Sequence, residues 1–92
     1  MYRLWAKTIK KGRTIESLDV TNDKDISLDI KRKECFEEIC YKLDLSLPMW
    51  LNKHTKEFNE FKRVTFYADD FIDDVDFDKL EIDLINDGSK KR

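Results

Sequence analysis

The sequence predicts an α+β domain in which a four-stranded, mainly antiparallel sheet packs one face on a central helix. Three patterns indicate this class: alternating residues at the N-terminus, an amphipathic helical pattern in the middle, and two more alternating segments in the C-terminal half. Ninety-two residues leave room for one hydrophobic core. We therefore expect a single domain over residues 1–87 in the order ββα(α)ββ, followed by a flexible basic tail, residues 88–92.

The first two strands are predicted to form a β-hairpin. The N-terminal segment alternates, so that one face of the first strand carries Tyr2, Leu4, Ala6 and Thr8. Lys11-Gly12 is a turn signal, because Gly12 accepts the positive φ that a tight hairpin turn requires. Ile15 and Leu18 lie at positions of opposite parity in the second strand, so we expect a bulge near residues 16–17.

Residues 27–44 are predicted to form the main helix. Asp25 or Ser27 is a suitable N-cap, and apolar residues recur at i, i+3, i+4 and i+7 as Phe36, Ile39, Cys40 and Leu43. Pro48 prevents the helix from continuing, because it has no N–H and favours an extended residue before it.

A second, shorter helix is predicted over residues 51–62. Its apolar face is expected to consist of Leu51, His54, Phe58 and Phe61. A single histidine on an apolar helix face is usually a structural group, so His54 is expected to lie on the buried edge of this helix without a catalytic role.

The C-terminal half is predicted to supply two strands, at about residues 64–68 and 80–84. Between them lies an acidic loop, residues 69–78. The spacing of Phe71, Ile72 and Val75 in this loop indicates a single helical turn, which Asp69 or Asp70 would cap.

The reactive residue types argue against metal binding and catalysis. Cys35 and Cys40 are five residues apart in the predicted helix, which places them roughly 140° apart around its axis, so they cannot pair with each other. Unpaired thiols are typical of a reducing compartment, and we expect a cytoplasmic protein. With one histidine in the chain, His54, no zinc-ligand spacing can be written. We expect no cofactor and no enzymatic activity.

The sequence Asp74-Val75-Asp76-Phe77-Asp78 resembles the start of a calcium-binding loop but fails at two later positions. The sixth position requires glycine and holds Lys79, whose ammonium group would repel the cation. The twelfth position requires a bidentate glutamate and holds Ile85. A solvated acidic face is the simpler interpretation of these carboxylates.

Charge is strongly segregated along the chain. Residues 1–13 contain five basic residues and no acid, whereas residues 69–87 contain nine acids and a single basic residue, Lys79. Opposite charges on neighbouring strands each contribute roughly 0.2–1 kcal/mol. We therefore expect the basic hairpin and the acidic C-terminal segment to be neighbours that neutralise each other.

The favoured function is a noncatalytic protein-interaction module, acting on another protein or as a homodimer through an open sheet edge. Residues 47–51 are all apolar, and they either fold back on the core or present an exposed anchor to a partner. The candidate partner-binding residues are Met49, Trp50, Asp69, Asp70, Asp73, Asp74 and Asp76.

The alternative is a nucleic-acid-linked function. The N-terminal hairpin combines cations with aromatic side chains, which are the groups that contact a nucleic-acid strand: Arg3, Trp5, Lys7, Lys10, Lys11 and Arg13. A second form of this alternative is that residues 69–83 form an acidic strip that mimics the phosphates of DNA. An isoelectric point of 5.4 argues against a dedicated nucleic-acid binder. No segment is apolar enough to suggest a membrane helix.

The order of motifs resembles a group of short conserved hypothetical proteins from Gram-positive bacteria. The shared features are a Tyr-Arg-Leu-Trp-like start, a central helix that ends in a Pro-x-Trp-Leu turn at residues 48–51, and a Phe-Asp-x-Leu-Glu-Ile-like segment at residues 77–82. The resemblance covers most of the chain. It implies a free-standing bacterial cytosolic domain, and it implies no activity, cofactor or catalytic residue.

Overall fold

A computed structural model describes residues 1–88 and confirms the predicted α+β class. The strands are β1 (Tyr2–Lys10), β2 (Arg13–Asn22), β3 (Arg63–Tyr67) and β4 (Lys79–Asp87), and the helices are α1 (Leu28–Lys42) and α2 (Asn52–Phe61). All strand pairs are antiparallel, in the sheet order β2-β1-β4-β3. Except for Gly88, the predicted basic tail lies outside the described residues.

The N-terminal hairpin has the predicted two-residue turn. Lys11 and Gly12 both have positive φ, 52° and 77°, which is the type I′ geometry that matches the twist of the two strands. The bulge is at Ile15, slightly before the predicted position. Thr8 pairs with Glu16 and Ile9 pairs with Thr14, so Ile15 is the extra residue on β2. Its side chain is exposed, whereas Leu18, opposite Ala6, packs against the core.

The inner face of the sheet forms the core. Leu4 on β1 lies between Val20 on β2 and Leu84 on β4, and Leu80 on β4 pairs with Phe66 on β3. The alternation predicted for β1 is confirmed, since its buried residues are Tyr2, Leu4, Ala6 and Thr8. The Thr8 hydroxyl is buried and has no hydrogen-bond partner within the described residues, which costs the fold roughly 1–3 kcal/mol.

Helix α1 packs on β1 and β2. Of the two predicted caps the structure uses Ser27, whose Oγ accepts a hydrogen bond from the Ile30 N–H at 3.3 Å. The helix ends at Lys42, two residues before the predicted boundary, and Asp44 then turns the chain with a φ of 58°. The buried face includes the predicted Phe36, Ile39 and Cys40 and also Cys35, because α1 lies close enough to the sheet to bury a wider stripe.

Helix α2 confirms part of the predicted apolar face. His54 and Phe58 are buried, whereas the prediction for Phe61 was wrong: its side chain is 68% exposed. Only Lys62, at a left-handed φ of 57°, separates α2 from β3, so the chain turns away from the helix axis directly after Phe61. Phe61 therefore contributes to a surface groove that also contains Trp5 of the outer sheet face.

The acidic loop contains a helical turn, but not at the predicted residues. A single 3-10 turn spans Ala68–Asp70, before Phe71, and the Asp70 carboxylate accepts a hydrogen bond from the Tyr67 N–H at 2.9 Å. Phe71 is buried against Phe77, and the intervening Ile72 is 88% exposed. The turn begins directly after β3, which ends at Tyr67. The Asp70 side chain accepts a hydrogen bond from the Tyr67 N–H and so stabilises a turn at this point in the chain.

The outer sheet face carries no helix within residues 1–88 and is covered by ion pairs. Glu81 on β4 lies among three cations: Lys79 at 3.5 Å, Lys7 on β1 at 3.7 Å and Arg63 on β3 at 4.0 Å. Arg63 also pairs with Asp83, and these carboxylates raise the pKa of its guanidinium. Lys7 of the hairpin thus pairs with the C-terminal segment, as the charge pattern predicted.

Glu81→Gln tests this ion-pair network. The substitution keeps the shape of the side chain, which is only 12% exposed, but leaves three cations without their shared carboxylate. We expect the free energy of unfolding to fall by about 1 kcal/mol at low salt, and by less at high salt. Urea denaturation measures both values.

Glu16→Gln is the matched control. Glu16 also lies on a strand, is exposed and takes part in no ion pair of residues 1–88, so the same change in charge is expected to leave stability unaltered. Equal effects of the two substitutions would show that Glu81 stabilises the sheet only through the net charge of the protein.

Candidate functional site

An aromatic cluster fixes the position of the apolar connector, residues 47–51. Phe66 of β3 lies at the centre, with its ring centroid 5.1 Å from that of Phe36 on α1, 4.4 Å from His54 on α2 and 5.5 Å from Trp50 in the connector. Each such aromatic pair contributes roughly 0.5–1.5 kcal/mol beyond the area it buries. The cluster joins both helices, the connector and the sheet.

The two candidate anchor residues of the connector differ in their surroundings. Trp50 is half-buried: its Nε1–H donates to the Thr55 Oγ1 at 2.8 Å, and the Arg32 guanidinium lies over its ring at 4.7 Å. Met49, its neighbour, is 73% exposed. The sequence left two interpretations of the connector open. Trp50 folds back on the core, whereas Met49 has an exposed side chain.

A groove of about 300 Å³ separates the apolar connector from the acidic loop. Leu47, Met49 and Leu51 line one side, and Ile72 lies on the other, and all four side chains are exposed. Asp69 and Asp70 also line this groove. The structure thus brings Met49 together with two of the predicted carboxylates, which lie 20 residues away in the sequence.

The acidic loop is tied to the connector but is not neutralised. Asp73 accepts a hydrogen bond from the hydroxyl of Ser46, and Asp70 caps the 3-10 turn. Asp69, Asp74 and Asp76 are exposed and make no hydrogen bond or ion pair within residues 1–88. None of these five carboxylates contacts a Lys or Arg side chain in that part of the chain, so the loop keeps its negative charge.

The basic hairpin is divided into a paired and an unpaired part. Arg3 pairs with Asp19, and Lys7 pairs with Glu81 and also lies 4.6 Å from the ring centroid of Trp5. The turn residues Lys10, Lys11 and Arg13 are exposed and form no ion pair within the described residues. The Asp78 carboxylate accepts a hydrogen bond from the Lys11 N–H, which places the turn beside the end of the acidic loop.

The proposed acidic strip of residues 69–83 is also divided. Glu81 and Asp83 face the cations of the outer sheet face, and only the loop before Lys79 remains uncompensated. Sequence reasoning identified the acids and Met49 but missed Ile72 and Leu47 as exposed groups. One exposed side chain could have been predicted from the pair Phe71-Ile72. Adjacent side chains point in different directions, so a loop with a single turn can bury only one of the two.

A second groove, of about 430 Å³, lies on the other side of the connector and was not predicted. It runs along α1, where Ile30 and Phe36 face Pro48 and Trp50. Its charges are mixed, because Arg32 approaches Asp29 at 3.8 Å within the same groove. The groove therefore shows no net preference for a positively or negatively charged ligand.

The cysteines have no arrangement for redox or metal chemistry. Cys35 and Cys40 are both free and buried, and burial raises the pKa of the two thiols to about 11 and about 12. Both thiols are protonated at neutral pH, so neither is an effective nucleophile. Residues 1–88 contain no cluster of three or more His, Cys, Asp or Glu side chains placed to hold a metal ion.

No family model matches this chain, and neither curated proteins nor solved structures give a significant match. In residues 1–88, no helix has the length and apolar composition needed to cross a membrane.

His54 lies on the buried side of α2, as its position in the sequence predicted. It is 3% exposed, and its Nδ1 accepts a hydrogen bond from the Leu51 N–H at 2.9 Å. This acceptor satisfies a free N–H at the start of the helix. Burial lowers the pKa of the imidazole below 6.5, so the neutral ring is the form that the fold requires.

The lowered pKa of His54 predicts a loss of stability in mild acid. The unfolded chain takes up a proton near pH 6.5, before the folded protein does, so the stabilisation by the neutral ring is full above that pH and is lost as the pH falls. One such group gives a slope of at most about 1.4 kcal/mol per pH unit. Urea denaturation between about pH 7 and about pH 5.5 measures it.

His54→Gln is the matched variant, because glutamine at this helix position can accept the same backbone hydrogen bond but does not titrate. We expect a lower stability throughout and a shallower dependence on pH. An unchanged slope in the variant would assign the pH dependence to another group.

Proposed function

We propose that this protein is a noncatalytic protein-interaction module whose contact surface is the groove between the apolar connector and the acidic loop. We call this the groove surface, and we define it by the exposed apolar side chains Leu47, Met49, Leu51 and Ile72 and the carboxylates Asp69, Asp70, Asp73, Asp74 and Asp76. The observation that carries the proposal is that exposed apolar groups and uncompensated charges lie together at one place.

The exposure of the apolar side chains is the first support. Met49 and Ile72 are 73% and 88% exposed although the chain has a well-formed core elsewhere. Contiguous apolar groups with a polar rim are typical of surfaces that bind other proteins. Trp50 supports this surface without being its exposed anchor. Its ring packs against the aromatic cluster, and this packing holds its neighbours Met49 and Leu51 at the surface.

The form of the acidic loop supports a noncatalytic role. Acid–base catalysis by two carboxylates needs an enclosed site that separates their pKa values. Asp69, Asp73, Asp74 and Asp76 are instead exposed. We also propose a cytosolic location, which the two free buried thiols support.

The nucleic-acid alternative has weaker support. Two of its five cations, Arg3 and Lys7, already pair with carboxylates, and the Trp5 ring is covered on one side by Lys7. Lys10, Lys11 and Arg13 remain as a small basic turn beside Asp78. Salt-dependent retention of the protein on DNA or RNA is the result that would favour this alternative.

Capture experiments with a matched pair of variants test the proposal. Ile72→Ser removes an 88% exposed apolar side chain from the groove surface, and Tyr41→Ser removes an 85% exposed one from α1. We expect proteins captured from a lysate of the source organism by the unaltered chain to be lost from Ile72→Ser and kept by Tyr41→Ser. Quantitative mass spectrometry compares the three samples.

Loss of the same proteins from both variants would show non-specific hydrophobic capture. Capture that survives Ile72→Ser and a further Met49→Ser substitution would show that the groove surface is not the contact. Either result contradicts the proposal.

A further inference from the structure

We infer that the occupant of the groove surface is a basic amphipathic segment of another protein, with apolar side chains in the groove and Lys or Arg side chains against the acidic loop. This inference rests on the proposed function and adds the chemical class of the partner. It follows from the shape of the groove, the sign of its rim and the distribution of ion pairs over the rest of the molecule.

The groove selects apolar side chains. Its two sides are formed by Leu47, Met49 and Leu51 and by Ile72, all exposed. A volume of about 300 Å³ is at the lower limit of the range for small-molecule sites, which are also more enclosed. Side chains that project from a larger molecule fit such a shallow site better than a free small molecule does.

The rim selects positive charge. Residues 68–77 contain five aspartates and no basic residue, and the connector, residues 47–51, has no charged side chain. In the described residues every ion pair lies outside this loop, on the outer sheet face, on α1 or between α1 and the chain before it. None of the five aspartates of the loop takes part in these ion pairs, so their carboxylates are free to pair with cations of a partner.

The loop is also held in place for docking. Asp73 accepts a hydrogen bond from Ser46, the residue just before the connector. Phe71 packs edge-on against Phe77 at a centroid distance of 5.5 Å. These contacts hold the two sides of the groove together, while Asp69 and Asp74 are exposed and form no hydrogen bond or ion pair within residues 1–88. A pre-formed rim lowers the ordering cost that binding must overcome.

Fluorescence anisotropy with a defined probe tests the inference. The probe is a short fluorescein-labelled peptide of leucine and lysine at amphipathic helical spacing, and a peptide of the same composition in scrambled order is its control. We expect the amphipathic peptide to bind more tightly than the scrambled one. We also expect its affinity to decrease as salt is raised, because contacts between exposed charges are screened.

Two pairs of variants locate the peptide. Asp69→Asn with Asp74→Asn removes two carboxylates that make no internal contact, and Asp23→Asn with Asp25→Asn removes two exposed carboxylates before α1. We expect the first pair to weaken binding roughly five- to tenfold and the second to change it little. Ile72→Ser is expected to weaken binding by a similar factor, and Tyr41→Ser is not.

Three results would overturn the inference. Equal weakening by the two aspartate pairs would mean that the peptide responds to the overall charge of the protein. Binding that ignores Ile72→Ser would mean that the groove takes no part. Binding that needs Ile72 but is insensitive to salt and to Asp69 and Asp74 would exclude a basic partner, while the interaction function proposed above would stand.

A second copy of the chain is the remaining occupant to distinguish. Sedimentation equilibrium of the unaltered chain and of Ile72→Ser measures self-association through this surface. A monomer in both samples, together with peptide binding, supports the inference. A dimer that dissociates in Ile72→Ser would show that the groove is occupied by the chain itself and would overturn it.

Discussion

The arrangement of the molecule depends on the packing around Phe66. This fully buried ring contacts Phe36 of α1, Trp50 of the connector and His54 of α2, so three separate segments of the chain are placed relative to β3 by one side chain. The connector is held on the surface as a consequence. Because Pro48 is itself buried and Trp50 is drawn into the cluster, Met49 between them points outward.

The outer sheet face gives the second constraint, which is electrostatic. Glu81 pairs with Lys7, Arg63 and Lys79, and Asp83 pairs with Arg63, so the charges on three neighbouring strands compensate one another across the face. Segregation along the sequence is thus partly removed by folding. Within the basic hairpin and the C-terminal segment, the unpaired charges include those of the basic turn and of the aspartates in the acidic loop, which lie near each other at Asp78 but form no ion pair within residues 1–88. The surplus of negative charge at the groove follows from this distribution.

Most of the fold could be predicted from local patterns. Alternation around Trp5 and Ile82, the turn at Gly12 and the stop at Pro48 each reflect the geometry of a single segment, and all four strands and both helices were confirmed. Exposure of Phe61 could not be predicted, because helical periodicity does not reveal that β3 begins only two residues later. Which of Phe71 and Ile72 is buried could not be predicted either, because it depends on the contact of Phe71 with Phe77 in the folded loop.

The candidate site could be predicted only in its parts. Met49 and the aspartates stood out by residue type, but their proximity depends on the contact between the connector and the loop, which are 18 or more residues apart. The partial burial of Trp50 likewise depends on Phe36 and Phe66, which lie on other elements. Long-range packing of this kind leaves no periodic signal in one sequence.

We propose that the groove between the connector and the acidic loop is a surface for a basic, apolar partner. Amide chemical-shift mapping of the isotope-labelled protein, titrated with the leucine–lysine peptide, tests it most directly. We expect shifts concentrated at residues 47–51 and 69–76, with little change on the outer sheet face. Shifts concentrated on that face or along α1, or no shifts at all, would contradict it.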